Sequence, residues 1–422
     1  MQITAKQSAS LCFLHAFPEK EEFPLTHITK QSTPDIQTRL LASGLPTPCY
    51  IIDEAKLIEN GKILKEIQDE TGCKILLAQK AFSNYDLYPA LAPYLAGTEA
   101  SGLYEARLGA EEMPGKECHV FCAAYREEDF EELLLYADHI VFNSPAQLKK
   151  FGVRAKNAGK EIGLRINPEC STQDGHAIYD PCAPGSRLGT TPAQWQREMT
   201  PEYIALLDGL HFHTLCEQDS DALEQTLQAV EEKFGFILNK MKWLNMCGGH
   251  HITRPDYDRE RLKRCICKMR DAYHLEIYLE PGEAVALNAG YLLTRVLDVV
   301  QNGDTTIAIH DMSPACHTPD VIEMPYRPPL YASGEAGEKA YTYRLAGPTC
   351  LAGDVVGDYS FDMPLSEGDF LLFEDMAIYS TCKNNTFNGM PLPDIREAKK
   401  DGTYRLLARF GYEDFKYRLG RK

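Results

Sequence analysis

Between residues 74 and 282 one rhythm repeats: a short apolar run, then a polar segment long enough for a helix. The runs are "KILLAQK" (74–80), "GTEASGL" (97–103), "HVFCAA" (119–124), "HIVFNS" (139–144), "EIGLRINP" (161–168), "GLHFHTL" (209–215), "WLNMCGG" (243–249) and "EIYLEPG" (276–282). Runs this short and continuously apolar suit parallel strands covered on both faces. The intervening segments, such as "REEDFEELLLYA" (126–137) and "SDALEQTLQAVEEKFGFIL" (220–238), carry apolar residues at helical spacing. Eight strand-then-helix units in series is the number that closes a (β/α)8 barrel. "GTEASGL" and "GLHFHTL" are weak strands in isolation, and their inclusion rests on starts that mostly fall about 20 to 35 residues apart. The exception lies between the fifth and sixth runs, where "YDPCAPGSRLG" (179–189) reads as an insertion.

After residue 283 the rhythm changes. "TRVLDVVQNG" (294–303), "TTIAIHDMS" (305–313), "KAYTYRLAG" (339–347) and "DFLLFEDMAIYS" (369–380) read as strands separated by turns, without helices between them. The expected organisation is an irregular N-terminal extension (1–45) packed in part on the β domain, a TIM-like barrel (46–283) entered through "TPCYIIDEAKL", a mainly β domain (284–393), and a tail (394–422) that is charged and poorly ordered beyond "DIREAKKDG".

A net charge of −17 argues against nucleic acid as a partner, because no basic stripe is available to neutralise phosphates, and leaves open a site for a cationic small molecule. No apolar run approaches the roughly 18 residues of a membrane helix, and "SLCFLHAF" does not lead into a signal-peptide cleavage site. A cytoplasmic protein with no membrane partner is the expectation. The 14 cysteines are scattered without framework spacing and are expected to be reduced thiols.

"WLNMCGGHH" (243–251) allows two sites. Cys247, His250 and His251 could hold a metal, or Gly248 and Gly249 could bare backbone N–H groups for an anion. No paired CxxC motif supports zinc, and no metal is expected. In a barrel the reactive groups gather at the C-terminal ends of the strands. Lys80 closes the first run, His211 and His213 lie on the sixth, the glycine pair follows the seventh, and Glu280-Pro281-Gly282 follows the eighth. Burial at a strand end is expected to depress the Lys80 pKa and free its amine to react with an aldehyde. A phosphate held at the seventh and eighth barrel loops is a recurrent use of this fold. An aldehyde-accepting lysine, a phosphate cradle and a carboxylate for a ring nitrogen together describe a pyridoxal 5'-phosphate site.

That constellation, with "GPTC" in the β domain, resembles the fold type III pyridoxal phosphate decarboxylases, the group containing ornithine and diaminopimelate decarboxylases. "CYIIDEAKL", "YDPCAPGSRLG", "GLHFHTLCEQD", "GGHHITRPDYD", "EPGEAVALN", "MPYRP" and "GPTCLAGDVVGDYSF" resemble the carboxynorspermidine (carboxyspermidine) decarboxylases of that group. The likeness runs from about residue 46 to about residue 393. It implies that Lys80 forms the Schiff base, His213 stacks on the cofactor ring, Gly248 and Gly249 hold the phosphate, Glu280 pairs with the pyridine nitrogen and Tyr379 lies near the phosphate. It also implies that Cys350 donates the proton, in the site of a neighbouring subunit of a homodimer.

Where ornithine and diaminopimelate decarboxylases read EPGR, this chain reads "EPGEA", so Glu283 puts an anion in place of a cation. A cationic amino-acid substrate would be drawn by that change, and Asp320 and Asp354 could extend the acidic lining; a partner Arg or Lys for Glu283 is the plainer alternative. His211 and His213 alternate on one strand and face opposite sides, so His213 is assigned to the ring and His211 to packing. "CGGHH" is then a phosphate-holding turn, with His250 and His251 structural or lining groups.

Overall fold

The computed structural model describes residues 34–173 and 179–421. Its first strand, β1 (Cys49–Asp53), precedes the barrel strands β2 (Lys74–Ala78), β3 (Gly97–Ala100), β4 (Glu117–Phe121), β5 (His139–Phe142), β6 (Glu161–Arg165), β7 (Gly209–His211), β8 (Trp243–Asn245) and β9 (Glu276–Leu279). β2 to β9 form a closed eight-stranded parallel barrel, sealed by pairing of β9 with β2. All eight apolar runs are barrel strands, including the two that rested on spacing. β3 is buried at every position. β7 begins at Gly209 because the Trp243 indole fills the barrel interior there: a Cβ on Gly209 would lie 2.0 Å from the indole, and one on Gly163 2.4 Å from it. Leu76, Val141 and Tyr278 complete this inner cluster. A larger core lies between the strands and the surrounding helices.

The helices start where side chains satisfy their open N–H groups. Asp53 accepts from Ala55 and Lys56 at the start of helix Glu54–Thr71, and Ser144 accepts from Gln147 at the start of Pro145–Asn157. The first of these ends on Gly72 at φ 73°, the left-handed closing residue that glycine supplies at little cost. The 179–189 segment is a turn-rich excursion before two short helices, Pro192–Glu198 and Pro201–Ile204.

The second sheet is built from β10 (Gly290–Asn302), β11 (Thr305–His310), β12 (Tyr341–Ala346), β13 (Val355–Phe361), β14 (Phe370–Glu374), β15 (Asp394–Ala398) and β16 (Tyr404–Ala408) together with β1, in the order β13-β12-β11-β10-β1-β15-β16, with β14 also on β10. Two expectations are corrected here. Cys49–Asp53 does not lead the barrel but lies inside this sheet, antiparallel to β10 and parallel to β15. The charged tail is not loose: Ile395 and Ala398 are buried, Arg405 and Arg409 pair with Glu397 and Asp394, and a helix, Tyr412–Tyr417, follows. Charge alone misread the part beyond "DIREAKKDG", because β16 is held there by its antiparallel pairing with β15.

Helix Pro34–Leu41 packs Ile36 and Leu40 against Cys49, Ile51, Tyr291 and Leu293 of the sheet. The rest of the expected N-terminal extension, residues 1–33, lies outside the described residues. Every cysteine among the described residues is a free thiol, and no helix among them is long and apolar enough to cross a membrane.

Candidate active site

The C-terminal mouth of the barrel gathers most of the residues singled out above. Lys80 follows β2 by two residues and is half-buried, with Nζ 3.7 Å from Glu99 Oε2 on β3. Burial works against the ammonium, as expected, but the negative field of Glu99, with smaller contributions from Cys247, Tyr379 and Glu280, outweighs it and raises the Lys80 pKa. The free lysine is therefore held charged, opposite to the depressed pKa expected from burial alone. Burial pushes the Glu99 pKa up while Lys80 pulls it down, so the two titrate as a pair.

Glu280, just beyond β9, is 2% exposed. Asn245 donates to its Oε1 from β8, and His211 Nε2 lies 3.4 Å from its Oε2. Burial raises its pKa, but His211 and the Cys247 thiol more than offset this and bring it down to about 2, so the carboxylate is ionised at neutral pH. His211 thus does more than pack: its ring stacks on Phe121 at 5.3 Å and its edge holds the carboxylate. His213 lies past the end of β7, with Nδ1 2.9 Å from Cys247 Sγ and accepting from Gly248 N–H at 3.4 Å. Burial, then Lys80, drives its pKa well down, leaving a neutral imidazole suited to lying flat against an aromatic ring.

The glycine pair of "CGGHH" is closely packed. A Cβ on Gly248 would meet Glu280 O at 2.5 Å; Gly249 sits at φ 82°, and a Cβ there would meet Leu215 O at 2.1 Å. Neither position has room for a side chain, which is why glycine stands at both. Cys247, His250 and His251 turn to three different partners: His213 Nδ1, Met246 O and Glu283 respectively. Tyr379, at φ 49°, is anchored by its N–H to Ala81 O at 2.9 Å, next to Lys80.

The acidic candidates separate. Among the described residues Glu283 has neither Arg nor Lys as partner; His251 Nε2 lies 3.1 Å from it. Asp320 is ion-paired with Lys383. Asp354 is buried and fully engaged, taking Ser313 Oγ and Ala315 N–H on one oxygen and Thr349 N–H and Oγ1 on the other. It holds the loop between β12 and β13 rather than lining the mouth, because each of its oxygens already accepts two hydrogen bonds. Cys350 stands exposed on that loop, its N–H donating to Asn388 Oδ1.

The sequence reading missed Glu99, Asn245 and Arg165, polar residues set inside apolar strands. Arg165 is 4% exposed, lies over the Phe121 ring at 4.6 Å and donates to His213 O. A charge inside an otherwise apolar run was the available signal.

The family model for the pyridoxal-dependent decarboxylases, C-terminal sheet domain, matches residues 49–377. The chain belongs to the pyridoxal-dependent decarboxylase family. A carboxyaminopropylagmatine decarboxylase of Synechocystis is 41% identical over 90% of this chain and 96% of its own length. A carboxynorspermidine/carboxyspermidine decarboxylase of Campylobacter jejuni is 38% identical over 89% and 98%. The crystal structure of carboxynorspermidine decarboxylase complexed with norspermidine, also from Campylobacter jejuni, superposes with a TM-score of 0.81 at 38% identity, covering 89% of this chain and 100% of that one. The barrel-plus-sheet fold is that of this family.

The residues present fit pyridoxal phosphate: a lysine at the mouth, a side-chain-free turn after β8, an ionised buried carboxylate and a neutral imidazole.

Proposed function

We propose that this protein removes the α-carboxylate of carboxynorspermidine or carboxyspermidine, giving norspermidine or spermidine and CO2 in polyamine biosynthesis. The observation that carries the reading is Glu280, ionised and clamped by His211 and Asn245 at the end of β9. When bound, pyridoxal phosphate supplies a sink for the electrons left on the α-carbon as CO2 departs. Glu280 keeps a proton on the ring nitrogen and so deepens that sink; an arginine in its place would make it shallower. Lys80 holds the cofactor covalently, His213 covers the ring, Gly248 and Gly249 seat the phosphate beside Tyr379, and Cys350 from a second copy returns the proton to the α-carbon. A thiol suits that last step because its pKa can be tuned near the working pH. The working unit is then a homodimer. A cytoplasmic setting accords with the free thiols.

The acidic mouth supports a cationic far end. Diaminopimelate carries a carboxylate there, which Glu283 would repel. Carboxyaminopropylagmatine, whose far end is a guanidinium, is the second reading, favoured by the 41% identical relative. CO2 release by the holoenzyme from carboxynorspermidine, carboxyspermidine, carboxyaminopropylagmatine, ornithine and diaminopimelate separates these. A preference for diaminopimelate or ornithine overturns the proposal. A protein without an absorbance band that depends on Lys80 would be a catalytically silent regulator.

A further inference from the structure

We infer that Glu217, Glu283 and Asp375, grouped around His251, form the subsite for the substrate's far ammonium, and that Glu217 and Asp375 set the preference for a triamine-length cation. The inference rests on the functional reading above and deepens it.

Three consecutive barrel loops build the cluster. Glu217 comes from the loop after β7, His251 from the loop after β8 and Glu283 from the turn after β9, and one ligand atom from each lies within 4.8 Å of the others. The first two loops are locked together by backbone: Gln218 N–H donates to Gly249 O at 2.9 Å, and His251 N–H to Gln218 O at 3.4 Å. Asp375 enters from the second sheet, just after β14, fixed by Asn288 N–H on its Oδ1 at 2.6 Å. Glu217 sits at φ 53° and Asp375 at φ 57°, left-handed conformations that side-chain-bearing residues seldom adopt and that gather at functional sites.

An independent observation points to a ligand. His251 is 6% exposed, yet neither ring nitrogen has an aligned hydrogen-bond partner; Nε2 faces Glu283 at 3.1 Å without the geometry of a bond. Two carboxylates, Glu217 and Glu283, therefore gather at one imidazole, and among the described residues no Lys or Arg forms an ion pair with Glu217, Glu283 or Asp375. The repulsion registers on the acids: Glu283 is the main cause of the upward shift at Glu217, and burial, then Glu283, pushes Asp375 to about 7. An arriving ammonium relieves that repulsion. The cluster adjoins the cofactor end of the site, since Gly282, next to Glu283, packs against Ala81, next to Lys80: a Cβ on Gly282 would lie 2.5 Å from that of Ala81.

The experiment uses holoenzyme and two amine probes. Norspermidine reaches from the cofactor end to the cluster; 1,3-diaminopropane lacks the far aminopropyl arm. Glu217→Gln is expected to raise KM for carboxynorspermidine and Ki for norspermidine by about tenfold each, with kcat changed by less than about threefold and Ki for diaminopropane unmoved. Asp375→Asn should act in the same direction; if it fails to fold, Glu217→Gln decides alone. A cofactor-loaded Glu217→Gln enzyme with KM and Ki within about twofold of the parent overturns the inference, as does equal weakening of both amines. Failure of the functional reading appears elsewhere: the parent holoenzyme would release no CO2 from carboxy-polyamines.

Discussion

Glu99 Oε2 lies 3.7 Å from Lys80 Nζ, joining two adjacent barrel strands at the point where the cofactor attaches. That pair keeps the free lysine protonated, and a protonated amine cannot attack an aldehyde. Glu99→Gln should therefore move the pH at which pyridoxal phosphate attaches to the apoprotein downward by about one unit or more. Stopped-flow absorbance across pH 6 to 9 measures it; an unmoved profile would mean that Glu99 has no hold on Lys80.

The glycine turn makes a separate prediction. Gly249→Ala forces a side chain onto a left-handed residue and against Leu215 O, and Gly248→Ala drives one into Glu280 O. Each should weaken cofactor retention by at least about tenfold while the barrel persists, since a loop and not a strand must shift. Dialysis followed by the visible band, with circular dichroism as the folding control, tests this.

At the opposite end of the barrel, His119 and His139 stack with ring centres 3.8 Å apart. Burial, then the field of His119, drives His139 down to about 3 from an ordinary value near 6.5. A lowered histidine pKa means that the unfolded chain binds the proton first. Stability is then full above pH 6.5 and is lost progressively as pH falls toward 3, by about 2 kcal/mol at pH 5. His139→Phe should flatten that dependence. Urea unfolding at pH 5 and pH 7 reads it, and an equal pH difference in both proteins would exclude His139 as the source.

Asp354 accepts four hydrogen bonds inside the second sheet's loop. Asp354→Ala leaves those donors unanswered and should cost about 3 kcal/mol in thermal or denaturant unfolding, far more than loss of an exposed acid at a binding mouth.

If Cys350 serves a neighbouring subunit, variants that each lack activity should rescue one another. Mixing Lys80→Ala with Cys350→Ala would regenerate one intact site in each hybrid, about a quarter of parental activity for random pairing. No recovery after subunit exchange would place Cys350 in its own chain's site or outside the chemistry.

The barrel was legible because its signal is local and repeated: a strand buried on both faces looks apolar whatever it pairs with, and spacing supplied the two weak members. The same property hid the partnership of "CYIID". Four of its five residues are buried, so it looks like a barrel strand, and only the distant β10 and β15 decide otherwise. The site divided along the same line. Lys80, Glu280 and the glycine pair stand at strand ends, where position implies use. Asn245, Arg165 and Glu99 act through neighbours on other strands, contacts that no single stretch encodes. Asp354 was misread for the converse reason: its charge is visible in sequence, and the four donors that consume it are not.

The placement of β1 sets the order in which the molecule can be finished. During synthesis its edges must wait, first for residues 290–302 and then for 394–398, whereas each barrel strand pairs with the next one in sequence and only the closure of β9 on β2 spans the barrel. The sheet domain is thus sewn shut by the two ends of the described chain, and a version cut after residue 393 would leave one edge of β1 bare.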